Sequence, residues 1–445
     1  MKKTVNPSSG AAEKMRGVEA ALHVWSQTVK GGTVSESIRA LGNRVSPADR
    51  TLAASLCYAM VRRLSLWEHL RELYLLPRPQ KFSRTVQTAV LAGAAGLMEL
   101  KNFAPAVLIS SLIDWTKARD PRGARVVNAV LRKVLENGPA ELERLGADSS
   151  DEALCLVSGV PLWVGRRWTA QYGTDAGRRI IAMNAGSASL SLRLSPGAPR
   201  NAAEQIAAAG AALVPSPLSC VLRLEGTALP TALPGYKEGW FTPQTESSIM
   251  VGSEAARFDG SFLLDMCAGR GVKTGQIAQL RPDIFIEGWD LSKGRIAAGI
   301  REMQRLGLSD RTALKQGDAL TLCPAREPDA VLTDAPCSGS GTWRRHPEGK
   351  WRLTPESLSA LSGLQTDLLV RAFELVRKGG RVIYSTCSLL AEENEETVRR
   401  ALQRCPGIRP AEMPLPAGAV RRGDGCLILP ENEWTDGFFA AGFVK

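Results

Sequence analysis

Phe262-Leu263-Leu264-Asp265-Met266-Cys267-Ala268-Gly269-Arg270-Gly271-Val272-Lys273-Thr274-Gly275 carries three signals in succession. An apolar run closing on an acid reads as a buried strand, the glycines as a tight turn, and the remainder as the opening of a helix. Such a loop lets the backbone approach the polar groups of a ligand at a helix N-terminus. Asp290, closing the next strand, stands 21 residues after Gly269, the usual place for an acid that binds ribose hydroxyls. Asp318, in Gln316-Gly317-Asp318-Ala319, ends the third strand, where a carboxylate can accept the exocyclic amine of adenine. Asp265, Asp290 and Asp318 together suit an adenosine with a positively charged amino-acid tail. A nicotinamide dinucleotide fits less well, because Thr274 stands where a GxGxxG loop needs glycine and Lys273 where it needs a small residue.

Outward from this stretch, strands alternate with helices from Trp240 to the C-terminal region: Phe262–Asp265, Ile284–Asp290, Thr312–Gln316, Ala330–Asp334 and Arg381–Cys387, then a hairpin of Cys426–Leu429 with Gly437–Val444. That alternation predicts a parallel sheet with crossover helices. Ligands of such sheets sit off the carboxyl ends of the strands. Two cysteines reach that edge, 50 residues apart: Cys337 in Thr333-Asp334-Ala335-Pro336-Cys337-Ser338-Gly339, and Cys387 in Tyr384-Ser385-Thr386-Cys387-Ser388. Paired thiols there suggest thiolate chemistry.

The chain has 445 residues, more than one hydrophobic core usually holds, so two or three domains are expected. From Ala11 to about Asn137 the pattern is helical. Ser46-Pro47-Ala48-Asp49 is a cap with proline at the first helical position, and Pro77 and Pro79 interrupt the chain before a further helix. Residues 1–10 are polar and expected to be disordered. Residues 11–148 are read as an all-α domain. Residues 150–240 are read as a small α+β module, and residues 241–445 as the α/β domain. Residues 1–148 hold 22 Lys/Arg against 13 Asp/Glu, a net +9 of the chain's total of +11. A basic first third suggests a polyanion partner, most commonly nucleic acid.

Nine cysteines are scattered without a CxxC pair, and His23, His69 and His346 show no ligand spacing, so no metal site is expected. Cys57, Cys155 and Cys405 read as small core fillers. No apolar core follows Met1-Lys2-Lys3, and the longest apolar stretch, Ala89 to Leu100, is too short to span a bilayer. The expected location is the cytoplasm, without a membrane.

These motifs together resemble one family. Asp265-x-Cys267-Ala268, Asp334-Ala335-Pro336-Cys337-Ser338-Gly339, Arg344-Arg345-His346-Pro347 with Lys350-Trp351, and Thr386-Cys387-Ser388 with Glu392-Glu393-Asn394-Glu395 are similar to those of RNA cytosine-C5 methyltransferases. Glu238-Gly239-Trp240 with Gln244 resembles the entry to their catalytic domain, and Asp436-Gly437-Phe438-Phe439 its end. The basic helical third resembles the NusB-like domain of the Fmu/Sun-type 16S rRNA enzymes. The resemblance implies a NusB-like bundle, a linker module and a Rossmann-like class I methyltransferase domain. It also implies S-adenosylmethionine as cofactor and small-subunit ribosomal RNA as substrate.

By resemblance, Cys387 is the nucleophile and Cys337 assists product release. Asp334 holds the cytosine edge, and Lys273 contacts the cofactor tail or active-site groups. The cofactor would be held by Asp265, Cys267, Ala268, Gly269, Gly271, Lys273, Asp290, Arg295, Asp318 and Asp334. Arg344, Arg345, His346 and Lys350 would bind RNA phosphates. The acids Glu392–Glu396 are read as a solvated helix start favoured by the helix dipole.

One motif departs from the family. Arg270 and Val272 stand where the family has proline and glycine. Valine resists positive φ, so a loop that needed it there would have to rearrange. That departure favours one rival, an RNA-binding protein with a decayed methyltransferase domain. A second rival, a DNA cytosine-C5 methyltransferase, would use a Pro-Cys nucleophile without the second Thr-Cys-Ser motif.

Overall fold

The computed structural model describes residues 15–76, 81–226, 229–414, 418–430 and 432–445. The polar residues 1–10 and the prolines at 77 and 79 lie outside the described residues. The chain divides into two compact units.

The first unit takes residues 1–185 together with His346–Trp351. Its helices are α1 (Gly17–Val29), α2 (Val34–Ala40), α3 (Pro47–Arg62), α4 (Leu64–Tyr74), α5 (Arg84–Glu99), α6 (Pro105–Lys117), α7 (Gly123–Ala147), α8 (Asp151–Ser158), α9 (Leu162–Tyr172) and α10 (Thr174–Met183). Helix α3 starts as its sequence demands: the Ser46 hydroxyl accepts from the Asp49 amide, and Pro47 takes the position whose N–H would be orphaned. The core is built around α5, whose Ala/Gly-rich face admits its neighbours closely. A Cβ at Gly93 would lie 2.2 Å from Leu131 of α7, and one at Gly96 2.5 Å from Leu108 of α6. Trp67 lies fully buried in this core, with Trp351 packed against its edge.

Helices α8–α10 fall within the first compact unit, whose first segment ends at Ala185. Only the strand-bearing half of the expected 150–240 module falls in the second unit. Cys57 and Cys155 are buried fillers, whereas Cys405 is only partly covered.

The second unit takes Gly186–Arg345 and Arg352–Lys445. Strands β1 (Leu190–Leu194), β2 (Ala212–Val214), β3 (Val221–Glu225) and β4 (Phe241–Pro243), with helix α11 (Ala202–Ala208), form an antiparallel sheet of order β2-β3-β1-β4. Helix α12 (Glu246–Ala255) leads into the larger sheet. Its strands are β5 (Phe262–Asp265), β6 (Phe285–Asp290), β7 (Thr312–Gln316), β8 (Ala330–Asp334), β9 (Arg381–Thr386), β10 (Arg409–Ala411), β11 (Ala419–Arg422), β12 (Gly425–Ile428) and β13 (Phe438–Val444). Helices α13 (Val272–Leu280), α14 (Lys293–Arg305), α15 (Pro355–Leu375) and α16 (Glu395–Arg404) accompany it.

The order is β11-β12-β13-β9-β8-β5-β6-β7, with β10 on β13. Strands β9, β8, β5, β6 and β7 run parallel, while β13 enters antiparallel to β9. Every residue of β5 is buried, as expected for a strand covered on both faces. The chain order reverses between β5 and β8, so the loops leaving these neighbours diverge and open a crevice at their carboxyl ends. The expected terminal hairpin is present as β12–β13, and β10 and β11 extend it. No helix among the described residues is long and apolar enough to cross a membrane.

Candidate active site

The crevice holds a cavity of about 350 Å³. The loop after β5 supplies Cys267, Ala268 and Gly269, the ends of β6 and β7 bring Asp290 and Asp318, and Arg295 of α14 stands beside them. Lys273 and Asp334 line it on the β8 side, and Leu364 and Leu368 of α15 give it an apolar wall. Of the ten expected cofactor residues, Gly271 alone is not in the lining. It shapes the loop instead: Gly269 and Gly271 take φ of 58° and 77°, and no non-glycine residue among those described has positive φ. Val272 opens α13 and needs no left-handed backbone, so the departure at 272 leaves the turn unstrained.

Asp265 is buried beneath this loop. Thr274 Oγ1 donates to its Oδ2 at 2.7 Å and the Cys267 amide to its Oδ1 at 3.4 Å. Burial dominates its electrostatics and pushes its carboxyl up to about 7, with nearby Asp334 adding to the rise. Burial likewise raises the Cys267 thiol well above its ordinary value, so it serves as a wall and not as a nucleophile. Asp290 caps the turn after β6, accepting from the Ser292 amide at 2.7 Å, with Arg295 Nη1 at 3.8 Å.

Next to the cavity the two thiols meet. Cys337, leaving β8, and Cys387, leaving β9, place their sulfurs 3.3 Å apart, because β8 and β9 are paired neighbours in parallel register. Thr342 Oγ1 approaches the Cys387 sulfur at 3.9 Å. The Cys337 thiol is pushed well up, first by its contact with Cys387, then by burial, and by the charge of Glu393. Beside the thiols, Lys273 Nζ donates to Asp334 Oδ2 at 2.7 Å, and Ser385 Oγ to Asp334 Oδ1 at 2.8 Å. The Lys273 ammonium also lies 4.9 Å from the centre of the Phe438 ring. Two sulfurs thus stand beside a carboxylate and an ammonium that line the cavity.

Three of the four residues expected to bind RNA do other work. Arg344 is buried, donating to the backbone carbonyls of Asn432 and Thr435. Arg345 Nε donates to Asp436 Oδ2 at 2.7 Å and its Nη1 to the Ser189 carbonyl at 2.7 Å. Asp436 is fully buried, so these arginines clamp the segment before β13. Lys350 is fully buried in the helical unit near Arg62, Arg63 and Glu99. Of the four, His346 remains exposed.

The acidic run after Cys387 opens a helix as expected, with half-exposed Glu395 and Glu396 in the first turn of α16, but Glu393 and Asn394 turn inward. Glu393 is fully buried and accepts from the Ser338 amide at 2.8 Å, Ser338 Oγ at 2.5 Å, Gln365 Nε2 at 3.0 Å and Ser388 Oγ. Asn394, also buried, accepts from Thr386 Oγ1 at 2.6 Å and donates to the Ser388 carbonyl at 3.0 Å. Only the Asn adjoining the acids, six residues past the thiol turn, distinguishes this run from a surface one. Of the residues that hold the site's carboxylates, Thr274 and Ser385 stand inside the motif stretches, while Gln365, in α15, carries no signal in the sequence.

Comparison with known proteins agrees with this architecture. The family model described as 16S rRNA methyltransferase RsmB/F matches residues 256–444, and that of the NusB family matches residues 11–136. A ribosomal RNA small subunit methyltransferase B from Citrobacter koseri is 30% identical over 433 residues, which cover 96% of this chain and 98% of the relative. Among solved structures, that of PH0851 covers all of both chains with a TM-score of 0.82 at 22% identity, a likeness of fold. A methyltransferase homolog protein from Pyrococcus horikoshii covers 67% of this chain and 99% of its own, with a TM-score of 0.58 at 26% identity. With this identity carried along nearly its whole length, the chain belongs to the 16S rRNA methyltransferase RsmB/F family and is an enzyme that methylates ribosomal RNA.

Proposed function

We propose that the chain transfers a methyl group from S-adenosylmethionine to C5 of a cytidine in small-subunit RNA, through a covalent bond between Cys387 and C6 of the base. The observation that carries this reading is the 3.3 Å contact between the Cys337 and Cys387 sulfurs beside the Lys273–Asp334 pair. C5 of cytosine is a poor nucleophile. A sulfur bonded to C6 makes the ring an enamine, so that one hard step becomes two easier ones.

The cavity residues fit the cofactor: Asp290 and Asp318 suit the ribose and adenine, Asp265 a cationic tail, and Leu364 and Leu368 an apolar face. When bound there, S-adenosylmethionine supplies the methyl group as an electrophile. Cys387 is assigned the attack on C6 and Cys337 the assistance of release. Water then takes the C5 proton, the C–H electron pair restores the C5–C6 double bond, and the C6–S bond breaks with Cys387 departing as thiolate. Asp334, fixed by Lys273 and Ser385, is assigned the N3/N4 edge of the base.

The target must be unpaired or flipped, because a base buried in a duplex cannot reach the thiols. The basic helical unit is assigned the RNA phosphates, and we place the enzyme in the cytoplasm with its ribosomal substrate. A decayed, merely RNA-binding protein loses its main support, since the loop at Val272 is unstrained.

The test is transfer of labelled methyl from S-adenosylmethionine to unmodified small-subunit RNA, naked and in assembly intermediates. Label in 5-methylcytosine, absent with Cys387→Ala, supports the reading. An intact fold with no label on either substrate overturns it.

A further inference from the structure

Two identical thiols 3.3 Å apart can share a proton in either direction, and the bond between them does not say which sulfur donates. Something outside the pair must break the symmetry if one is to attack and the other to assist. Glu393 is placed to do so. Its carboxylate is fully buried, and among the described residues no ion pair includes it. A buried carboxylate without a cation is costly, and it persists only where hydrogen bonds compensate for lost water.

Here Ser338, next to Cys337, gives both its amide and its hydroxyl, while Ser388, next to Cys387, gives its hydroxyl. Gln365 Nε2 bridges Glu393 Oε1 to the Pro336 carbonyl at 2.9 Å, on the Cys337 side. Three of these four hydrogen bonds thus tie the carboxylate to the turn of Cys337. The Tyr384 hydroxyl fixes the Glu393 backbone carbonyl at 2.5 Å. The Cys337 thiol is raised first by its contact with Cys387, then by burial and by the Glu393 charge, which opposes a second negative charge on its sulfur, while the Gly339 amide acts in the opposite direction.

We propose that Glu393 is the positioning residue that divides the work between the two thiols: its buried carboxylate keeps the shared proton on Cys337 and leaves Cys387 as the sulfur that attacks. This rests on the covalent reading given above. In the resting site Cys337 S–H donates to the Cys387 sulfur. After methyl transfer the Cys337 S–H can donate again to the Cys387 thiolate as it leaves C6, which restores the resting arrangement.

The test needs neither RNA nor cofactor. Wild type and Glu393→Gln are treated with iodoacetamide from pH 6 to 9, and alkylation of Cys337 and Cys387 is followed separately by peptide mass spectrometry. Gln can keep the serine contacts with donor and acceptor roles exchanged. In wild type, Cys387 should react about tenfold faster than Cys337 at pH 7.5, because the proton held on Cys337 blocks its sulfur. In Glu393→Gln the ratio should fall towards one, and kcat should drop with little change in KM for RNA. An unchanged ratio in folded Glu393→Gln overturns the proposal.

If Glu393→Gln does not fold, Ser338→Ala answers the same question. With the carboxylate retained the ratio must persist, and its loss would assign the order of reactivity to scaffold geometry instead. Failure of methyl transfer by wild type would strike the covalent reading while leaving this alkylation result to stand or fall by itself.

Discussion

Lys273 Nζ and Asp334 Oδ2 stand 2.7 Å apart, tying the first turn of α13 to the end of β8 across the crevice where the sheet order reverses. The pair lines the cavity, and Ser385 fixes the second carboxylate oxygen. Asp334→Asn would keep the Ser385 contact while removing the charge assigned to the base. Its kcat should fall by on the order of 10²-fold or more, as for loss of a preorganised electrostatic contact, and Tm should fall as well, because the largely buried Lys273 ammonium loses its carboxylate. Single-turnover methyl transfer alongside thermal melting checks this. Full activity in Asp334→Asn would remove the carboxylate from the chemistry.

Cys387→Ala should abolish both turnover and any covalent RNA adduct. Cys337→Ala should instead accumulate an adduct that survives a denaturing gel, because attack on C6 proceeds while release is impaired. Both variants keep the turns held by Glu393 and Asn394, so both should fold. Like behaviour of the two, whether both trapping RNA or neither, would break the assignment of attack to Cys387 and release to Cys337.

Much of this site is visible in the chain itself, and the reason is geometric. A parallel sheet brings the carboxyl ends of β5, β6, β7, β8 and β9 to one edge. Motifs at strand ends therefore converge whatever their separation in sequence. Nine of the ten expected cofactor residues line one cavity for that reason. Arg344, Arg345 and Lys350 mislead because a charged residue is ordinarily solvated. Nothing local reveals that Asp436, some ninety residues on, will enclose two of these cations, or that the third will sink into a different unit. Glu393 was obscured by its neighbours: of four glutamates in five residues, local composition does not tell which one turns inward.

Asp265 gives a pH dependence with a definite sign. Its carboxyl lies at about 7 in the fold against 3.8 when exposed, so between these values the folded state holds the extra proton. Stability contributed at this site therefore declines as pH rises from about 4 to 7, and the penalty is complete above 7. Asp265→Asn keeps an acceptor for Thr274 and removes that penalty. Without cofactor its Tm should exceed wild type by several degrees at pH 8 and match it near pH 4, at roughly 2–4 °C per kcal/mol. Binding of S-adenosylmethionine should weaken in the same variant. A Tm difference independent of pH would show that the buried carboxyl does not titrate in this range.

Lys350 allows the opposite sign to be tested in the helical unit. Its ammonium is fully buried with no hydrogen-bond partner in the described structure, and burial, helped by Arg62 and Arg63, lowers its pKa to about 7. Against an ordinary value of 10.5, the unfolded chain holds the extra proton between about 7 and 10.5. Stability should therefore rise with pH across that window, the cost being greatest at and below 7. Lys350→Met fills the same space without the charge and relieves the repulsion from both arginines, although it withdraws one cation from Glu99, which Arg63 still faces at 3.4 Å. Replacing a buried charge by an apolar side chain of similar volume is often stabilising. Calorimetry of the full chain should show a higher Tm for Lys350→Met, with the gain larger at pH 6.5 than at pH 9. Affinity for small-subunit RNA, and its fall with salt, should be unchanged, since phosphates cannot reach a side chain with no exposed surface. A weaker salt dependence of RNA binding in Lys350→Met would return this lysine to the RNA interface.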